Sequence, residues 1–402
     1  MKVLISAYAC DPRFGSEPGI GWAWVNAAAV GNEVWVLTRP HVAEVVEEAL
    51  RGKTEAVPRF VYVDLPRWAK LGGLLGRRYR TYYTLWQLAA ARRARALHAE
   101  VGFDVVHHLT WANGWYPALT FQKDAAFVLG PVGGALKVPV HLLPSLGPRG
   151  ACKEVARRIG QLVAHINPVI RAVWRRADVI VVLEKSTLYA LPRRYRRKAV
   201  VRHNLTIPEK LRAAIGVAKR EDGSHIAVLA GRLLPWKGEH LAIRALATAP
   251  EWRLKVVGSG PDLSRLRALT EKLELNSRVE FVTRVSQHDL WEMMRTADVL
   301  LVPSLRDDGP TVSIEAQALG LPVIALDQGG PAELAKAAGS SFVLVPLTTT
   351  KQIVSGLSNA LLSLGTARPE PESITEAYGV ERVSRDLATI YSTAVRNSTD
   401  EN

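Results

Sequence analysis

Ala297–Leu334 reads ADVLLVPSLRDDGPTVSIEAQALGLPVIALDQGGPAEL, and the order of its elements decides the fold. Val299–Pro303 is a short branched apolar run closed by proline and serine, the pattern of a strand buried on both faces. A polar loop containing Gly309 follows. A helix is expected over Val312–Leu319, with Gly320 just past its end and Pro322 before a second strand, Val323–Leu326. In a doubly wound parallel sheet, ligands bind at the carboxyl ends of the strands, which is where loop Arg306–Thr311 falls. The free N–H groups of a first helical turn suit an anionic oxygen such as phosphate, and Gly309 lets the backbone come close. Glu315, one turn further in, suits a pair of neighbouring hydroxyls, as on a ribose.

At 402 residues the chain is too long for one typical core and fits two domains. Its 48% apolar and 22% charged residues are those of an ordinary globular protein. Two distant cysteines, Cys10 and Cys152, give neither a disulfide framework nor a metal cluster, which favours a reducing cytoplasm. The start, MKVLISAYACDP, reads as a first strand rather than a signal peptide, and no apolar run approaches the length of a membrane span. The net charge of +14 is uneven: residues 1–205 hold 30 Lys/Arg and 14 Asp/Glu, leaving 22 and 24 for the rest. A basic half points to an anionic partner such as lipid headgroups, a lipid-phosphate acceptor or nucleic acid; the same arginines also fit a solvated face. Residues 67–100 add Trp68, Tyr79, Tyr82, Tyr83 and Trp86 among eight Lys/Arg, which suits a membrane interface or a helix packed on its own sheet.

A second strand-to-helix unit begins at His225–Gly231 and runs through Arg232-Leu-Leu-Pro-Trp-Lys237-Gly238 into an amphipathic helix from Glu239. Two cations in such a loop neutralise a diphosphate leaving group as its charge develops. Leu254–Gly258 and Val279–Val282 are further strands, with Arg284 and Val285 at the exit of the latter. Together with Asp307-x7-Glu315, the run Gly320-Leu-Pro-Val-Ile and the run Gly329-Gly-Pro-Ala-Glu333, this half closely resembles the donor-binding signature of retaining glycosyltransferases of family 4, enzymes of the GT-B fold. The resemblance implies that Gly231, Arg232 and Lys237 hold the donor's diphosphate, and that Arg284 and Val285 meet the base. It places Gly309, Pro310, Thr311, Glu315 and Glu333 on the donor as well. Members usually carry Glu at the first acidic position, near the transferred sugar; here it is Asp307.

The first half carries the resemblance more loosely. Strand 2–7 leads into the Gly-Ser-Glu-Pro-Gly loop of a family-4 subgroup, placing Gly15 toward the donor and Glu17 and Gly19 on the acceptor side. The loop lacks the Gly-x-Gly-x-x-Gly spacing of a dinucleotide-binding fold, which weakens an oxidoreductase reading. Phe103–Thr110 ends in His107 and His108, where the family has a catalytic histidine; the second family histidine position falls on Leu109. Ala126–Gly134 opens into a loop whose Gly133 and Gly134 face the acceptor in that subgroup, without the acidic residue that commonly follows. Buried structural histidines and turn glycines are the alternative at these positions.

The expected architecture is therefore α/β, with two Rossmann-like doubly wound domains facing each other across a cleft. Residues 1–205 form the acceptor domain, 206–378 the nucleotide-sugar domain, and 379–402 a helix crossing back to the first domain with a disordered tail from Ser398. The expected activity is retaining transfer of a sugar from a nucleotide-diphosphate sugar to a sugar, polysaccharide or lipid-linked acceptor. No metal or other cofactor is expected, since no Asp-x-Asp motif occurs. The expected location is cytoplasmic, with the basic half a candidate peripheral membrane surface and no nucleic acid as partner. The rivals are a GT-B sugar-nucleotide epimerase and an idle relative that binds anions or nucleic acid.

Overall fold

The computed structural model describes residues 1–65, 79–212, 225–283, 285–338, 341–365 and 368–400. The chain divides into two units, one of Met1–Ala135, Gly160–Thr206 and Gly379–Asn402, the other of Leu136–Ile159 and Ile207–Tyr378. Trp68 and Arg284, singled out above, lie outside the described residues.

In the first unit β1 (Lys2–Ala7), β2 (Glu33–Thr38), β3 (Arg59–Tyr62), β4 (Val105–Thr110), β5 (Ala126–Val132), β6 (Val179–Val182) and β7 (Ala199–Val201) form one parallel sheet, ordered β3-β2-β1-β4-β5-β6-β7. Its central strands are apolar on both faces because helices cover both. Val3 and Ile5 join a core with Trp24 of helix Ser16–Ala29 and with Leu387, Ile390 and Tyr391 of helix Val380–Asp400. Leu4, with its side chain on the opposite face, joins Tyr83 and Trp86 of helix Tyr79–Val101. The aromatic residues of that helix are thus divided: Tyr83 and Trp86 are fully buried, whereas Tyr82 is only partly covered. The last helix runs on to Asp400, so Ser398–Asp400 are helical where a disordered tail was expected; Ser398 and Thr399 hydroxyls donate to the carbonyls of Val395 and Arg396 at 2.8 and 2.7 Å.

In the second unit β8 (His225–Ala230), β9 (Trp252–Val257), β10 (Val279–Val282), β11 (Val299–Val302), β12 (Val323–Leu326) and β13 (Phe342–Val345) form a parallel sheet ordered β10-β9-β8-β11-β12-β13. The chain winds outward from β8 in one direction and returns to its other side at β11, so the loops leaving these two strands diverge and leave a crevice. Leu136–Ile159, expected in the first domain, groups with this unit. Val138, Leu142 and Leu146 are buried in its core, and Glu154 pairs with its Arg306 at 3.1 Å.

Candidate functional site

The loop after β8 turns through a short 3-10 helix, Pro235–Lys237, into helix Glu239–Leu246. Gly238 makes that turn possible. Its φ is +75°, and a side-chain carbon there would lie 1.9 Å from the Pro303 carbonyl oxygen at the end of β11. The two loops consequently touch backbone to backbone, which carries Lys237 across: its Nζ donates to Asp307 Oδ2 at 2.5 Å. The Asp307 loop is held from behind by the glycine pair after β12. Gly330 N–H donates to the Asp307 carbonyl at 2.9 Å, and a side-chain carbon at Gly330 would meet Asp308 O and the Gly309 backbone at 2.7 Å.

Gly231, Arg232, Lys237, Glu239, Asp307 and Pro310 line one small recess at this point. Arg232 is exposed. Pro310 precedes helix Thr311–Ala318, whose start has no side-chain cap, and Pro310 and Val312 line the recess. One turn on, burial pushes the Glu315 carboxyl up to about 7, against the pull of the Gln287 amide, which donates to Oε1 at 3.0 Å. Val285, half-buried, stands two residues before Gln287. Glu333 pairs with Lys336 at 2.8 Å on the helix that follows the glycine pair.

Glu239 was not singled out by the sequence reading. It is 1% exposed, and burial pushes its carboxyl up to about 8 beside Lys237 and Arg232. An acid directly after Lys-Gly, at the first position of a helix, was the available signal. Arg306 turns away from the recess. It stacks over Trp236 at 4.2 Å and pairs with buried Glu154, whose carboxyl, which burial alone would raise, is held below its usual range by Arg157 and Arg306.

In the first unit the loops after β1, β4 and β5 are tied together. Ala112 N–H donates to Glu17 Oε1 at 2.6 Å, and Gly133 N–H donates to the Ala112 carbonyl at 3.1 Å. Gly15 precedes helix Ser16–Ala29, and a side-chain carbon on Gly19 would lie 2.1 Å from Phe14 O. The carbonyl of Gly134 accepts from the Gln161 amide. His107 is committed to the core rather than to a surface. Its Nε2 donates to the Gly130 carbonyl at 2.6 Å, so Nδ1 accepts from the Tyr391 hydroxyl at 2.9 Å, and both ring nitrogens are used. His108 Nε2 lies 3.4 Å from Tyr83 Oη, whose proton goes to Pro117 O. Burial lowers the two imidazoles to about 4 and about 3. His107 thus has no ring nitrogen left to take a substrate proton, and His108 is 2% exposed.

Residues 213–371 match the profile of the family described as Glycosyl transferases group 1. The D-inositol 3-phosphate glycosyltransferase of Mycobacterium sp. (strain KMS) is 31% identical over 264 residues, covering 60% of this chain and 55% of that protein. Its counterpart in Mycolicibacterium smegmatis is 30% identical over 261 residues, covering 60% and 56%. The chain thus spans little more than half the length of the curated relatives it matches. Among solved structures, sucrose-phosphate synthase from Thermosynechococcus elongatus superposes with a TM-score of 0.67 at 19% identity, over 97% of this chain and 98% of that one. Anabaena HepE in complex with UDP and glucose gives 0.60 at 16%, over 98% and 99%. The fold, two Rossmann-like parallel-sheet domains, is that of GT-B proteins.

The buried titratable groups give the two units opposite responses to pH. His107 and His108 bind protons less readily folded than unfolded, so they add stability as pH rises from about 4 to 6.5. Burial also raises the Glu17 carboxyl, which works against them in the same unit. Glu239 and Glu315 bind protons more readily folded, so their contribution is fully present below about 4.5 and is lost as pH rises toward 7 or 8; His240, which burial lowers to about 3, works against them in the same unit. Each unit of separation is worth about 1.4 kcal/mol. Hydrogen exchange, corrected for intrinsic rates, should therefore show β4 better protected at pH 7 than at pH 5 and helix Thr311–Ala318 the reverse. The same trend in both would contradict these assignments.

Proposed function

We propose that the chain is a glycosyltransferase of family-4 type that moves a sugar from a nucleotide-diphosphate sugar to an acceptor hydroxyl with retention of anomeric configuration, in the assembly of a glycan, polysaccharide or glycolipid. The observation that carries the reading is the Lys237–Asp307 pair at the β8/β11 crevice, with Arg232 and an uncapped helix N-terminus alongside. A diphosphate placed there would take over Lys237 from Asp307 and add Arg232 and the amides of Gly309, Pro310's successor Thr311 and their neighbours. Its leaving oxygen gathers negative charge as the sugar departs, and these groups stabilise that charge. Asp307, released from Lys237, faces the sugar. The acceptor oxygen attacks from the side the leaving group vacates, and the departing phosphate oxygen takes its proton, so no histidine is needed as base. Glu315 accepts from the ribose hydroxyls, Val285 borders the base, and Glu333 lies toward the sugar. Gly15, Glu17, Gly19, Gly133 and Gly134 shape the loops of the acceptor-side unit. His107 and His108 are assigned to its core.

An acceptor carried on lipid is the reading favoured by the surface of the first unit. Leu162, Val163 and Ile166 are 67%, 52% and 73% exposed, and Val169 on the next helix 45%, with Arg171, Arg175 and Arg176 exposed beyond them. Apolar side chains projecting among arginines fit the headgroup region of an anionic bilayer. No described helix is long and apolar enough to cross a membrane.

Lys237→Ala should lower kcat/KM for transfer from a UDP-, GDP- or ADP-sugar by roughly 100-fold while leaving the urea midpoint near that of the parent; undiminished transfer would remove Lys237 from the reaction. Because Glu315 binds hydroxyls as a carboxylate, nucleotide diphosphate affinity should strengthen as pH rises through about 7, and Glu315→Gln should flatten that profile. A pH profile that Glu315→Gln leaves intact would assign the dependence elsewhere. In co-sedimentation, phosphatidylserine vesicles should bind the protein, less at high salt and less for Leu162→Glu/Ile166→Glu; binding indifferent to both would count against a lipid surface.

A further inference from the structure

On the far side of helix Glu239–Leu246 from the Lys237 recess, the second unit has another hollow, of about 710 Å³, within the size range of small-molecule sites. One wall is cationic. Arg244 and Lys351 are exposed, and Arg265 is held between Asp262 and the Ser145 carbonyl, with contacts at 2.8, 2.7 and 3.2 Å. Among the described residues that line the hollow none is acidic. The other wall is apolar, made by Leu269, Leu273 and Val354.

Two further observations point to an anion. His240 lines the hollow and is 3% exposed. Its Nδ1 faces Arg265 Nη2 at 3.4 Å and so must accept, which puts the proton on Nε2, and Nε2 has no acceptor among the described residues. A buried N–H without a partner is costly, and an oxygen ligand would remove that cost. Thr350 and Lys351 also stand at the start of helix Thr350–Leu362. The Thr349 cap takes the N–H of Gln352, leaving the first two amides of the turn, at Thr350 and Lys351, without a capping side chain.

We propose that this hollow binds a phosphomonoester, its phosphate between Arg244, Lys351 and His240 and its carbon skeleton on the leucines. This site is separate from the recess at Lys237 and does not depend on the reading given to that recess. Phenyl phosphate joins a phosphate to an apolar ring and is a suitable probe, with inorganic phosphate as the comparison. In calorimetry on the full chain, phenyl phosphate should bind more tightly than inorganic phosphate. Arg244→Ala/Lys351→Ala, which alters exposed side chains only, should weaken phenyl phosphate at least about 10-fold. Lys237→Ala should leave it unchanged. Absence of binding, binding that survives the double substitution, or binding lost in Lys237→Ala would each overturn the proposal. The last result would place the phosphate in the recess instead, and loss of nucleotide binding alone in Lys237→Ala would bear on that recess without touching this site.

Discussion

One ion pair, Lys237 Nζ to Asp307 Oδ2, joins the two loops that leave adjacent strands β8 and β11. Strand order makes those loops diverge; the pair brings them together again. Lys237 retains 31% of its side-chain exposure and Asp307 11%, so the attraction is partly screened and does little to hold the unit together. What fixes its geometry is backbone. Gly238 against Pro303, and Gly330 against Asp308 and Gly309, are approaches that any side-chain carbon would block. A weak polar contact is thereby positioned by rigid apolar and main-chain packing, which suits groups that must exchange one partner for another.

Much of this was legible locally. Gly320 adopts φ +80° at the end of helix Thr311–Ala318, and the branched runs at Val299 and Val323 are strands, because glycine, proline and β-branching act within a few residues of themselves. The candidate loops were found from spacing and from resemblance. Long-range partners were not legible. Lys237 and Asp307 lie 70 residues apart, and the burial that shifts Glu239 depends on how helices stack over the sheet.

His107 shows the limit most clearly. Its position at the end of β4 resembles a catalytic one, yet its environment is decided by a tyrosine 284 residues further on and by a carbonyl of the next strand. Leu136–Ile159 is similar. Its helix reads as a continuation of the first half, but Leu142, Leu146 and Glu154 find their partners in the second unit, where an arginine from the Asp307 loop needed a buried carboxylate. Periodicity reports that a face is apolar; it does not report which core receives it.

The first unit is assembled from three stretches of chain, the last being the helix that contains Tyr391. A ribosome makes the whole of 207–378 before that helix exists. Until it emerges, Trp24, Val128 and the His107 ring lack the neighbours that bury them in the finished unit. The second unit has all its strands earlier. The amino-terminal core is therefore completed only after residues 207–378 have been made, and until then a nascent chain displays an unfinished apolar face.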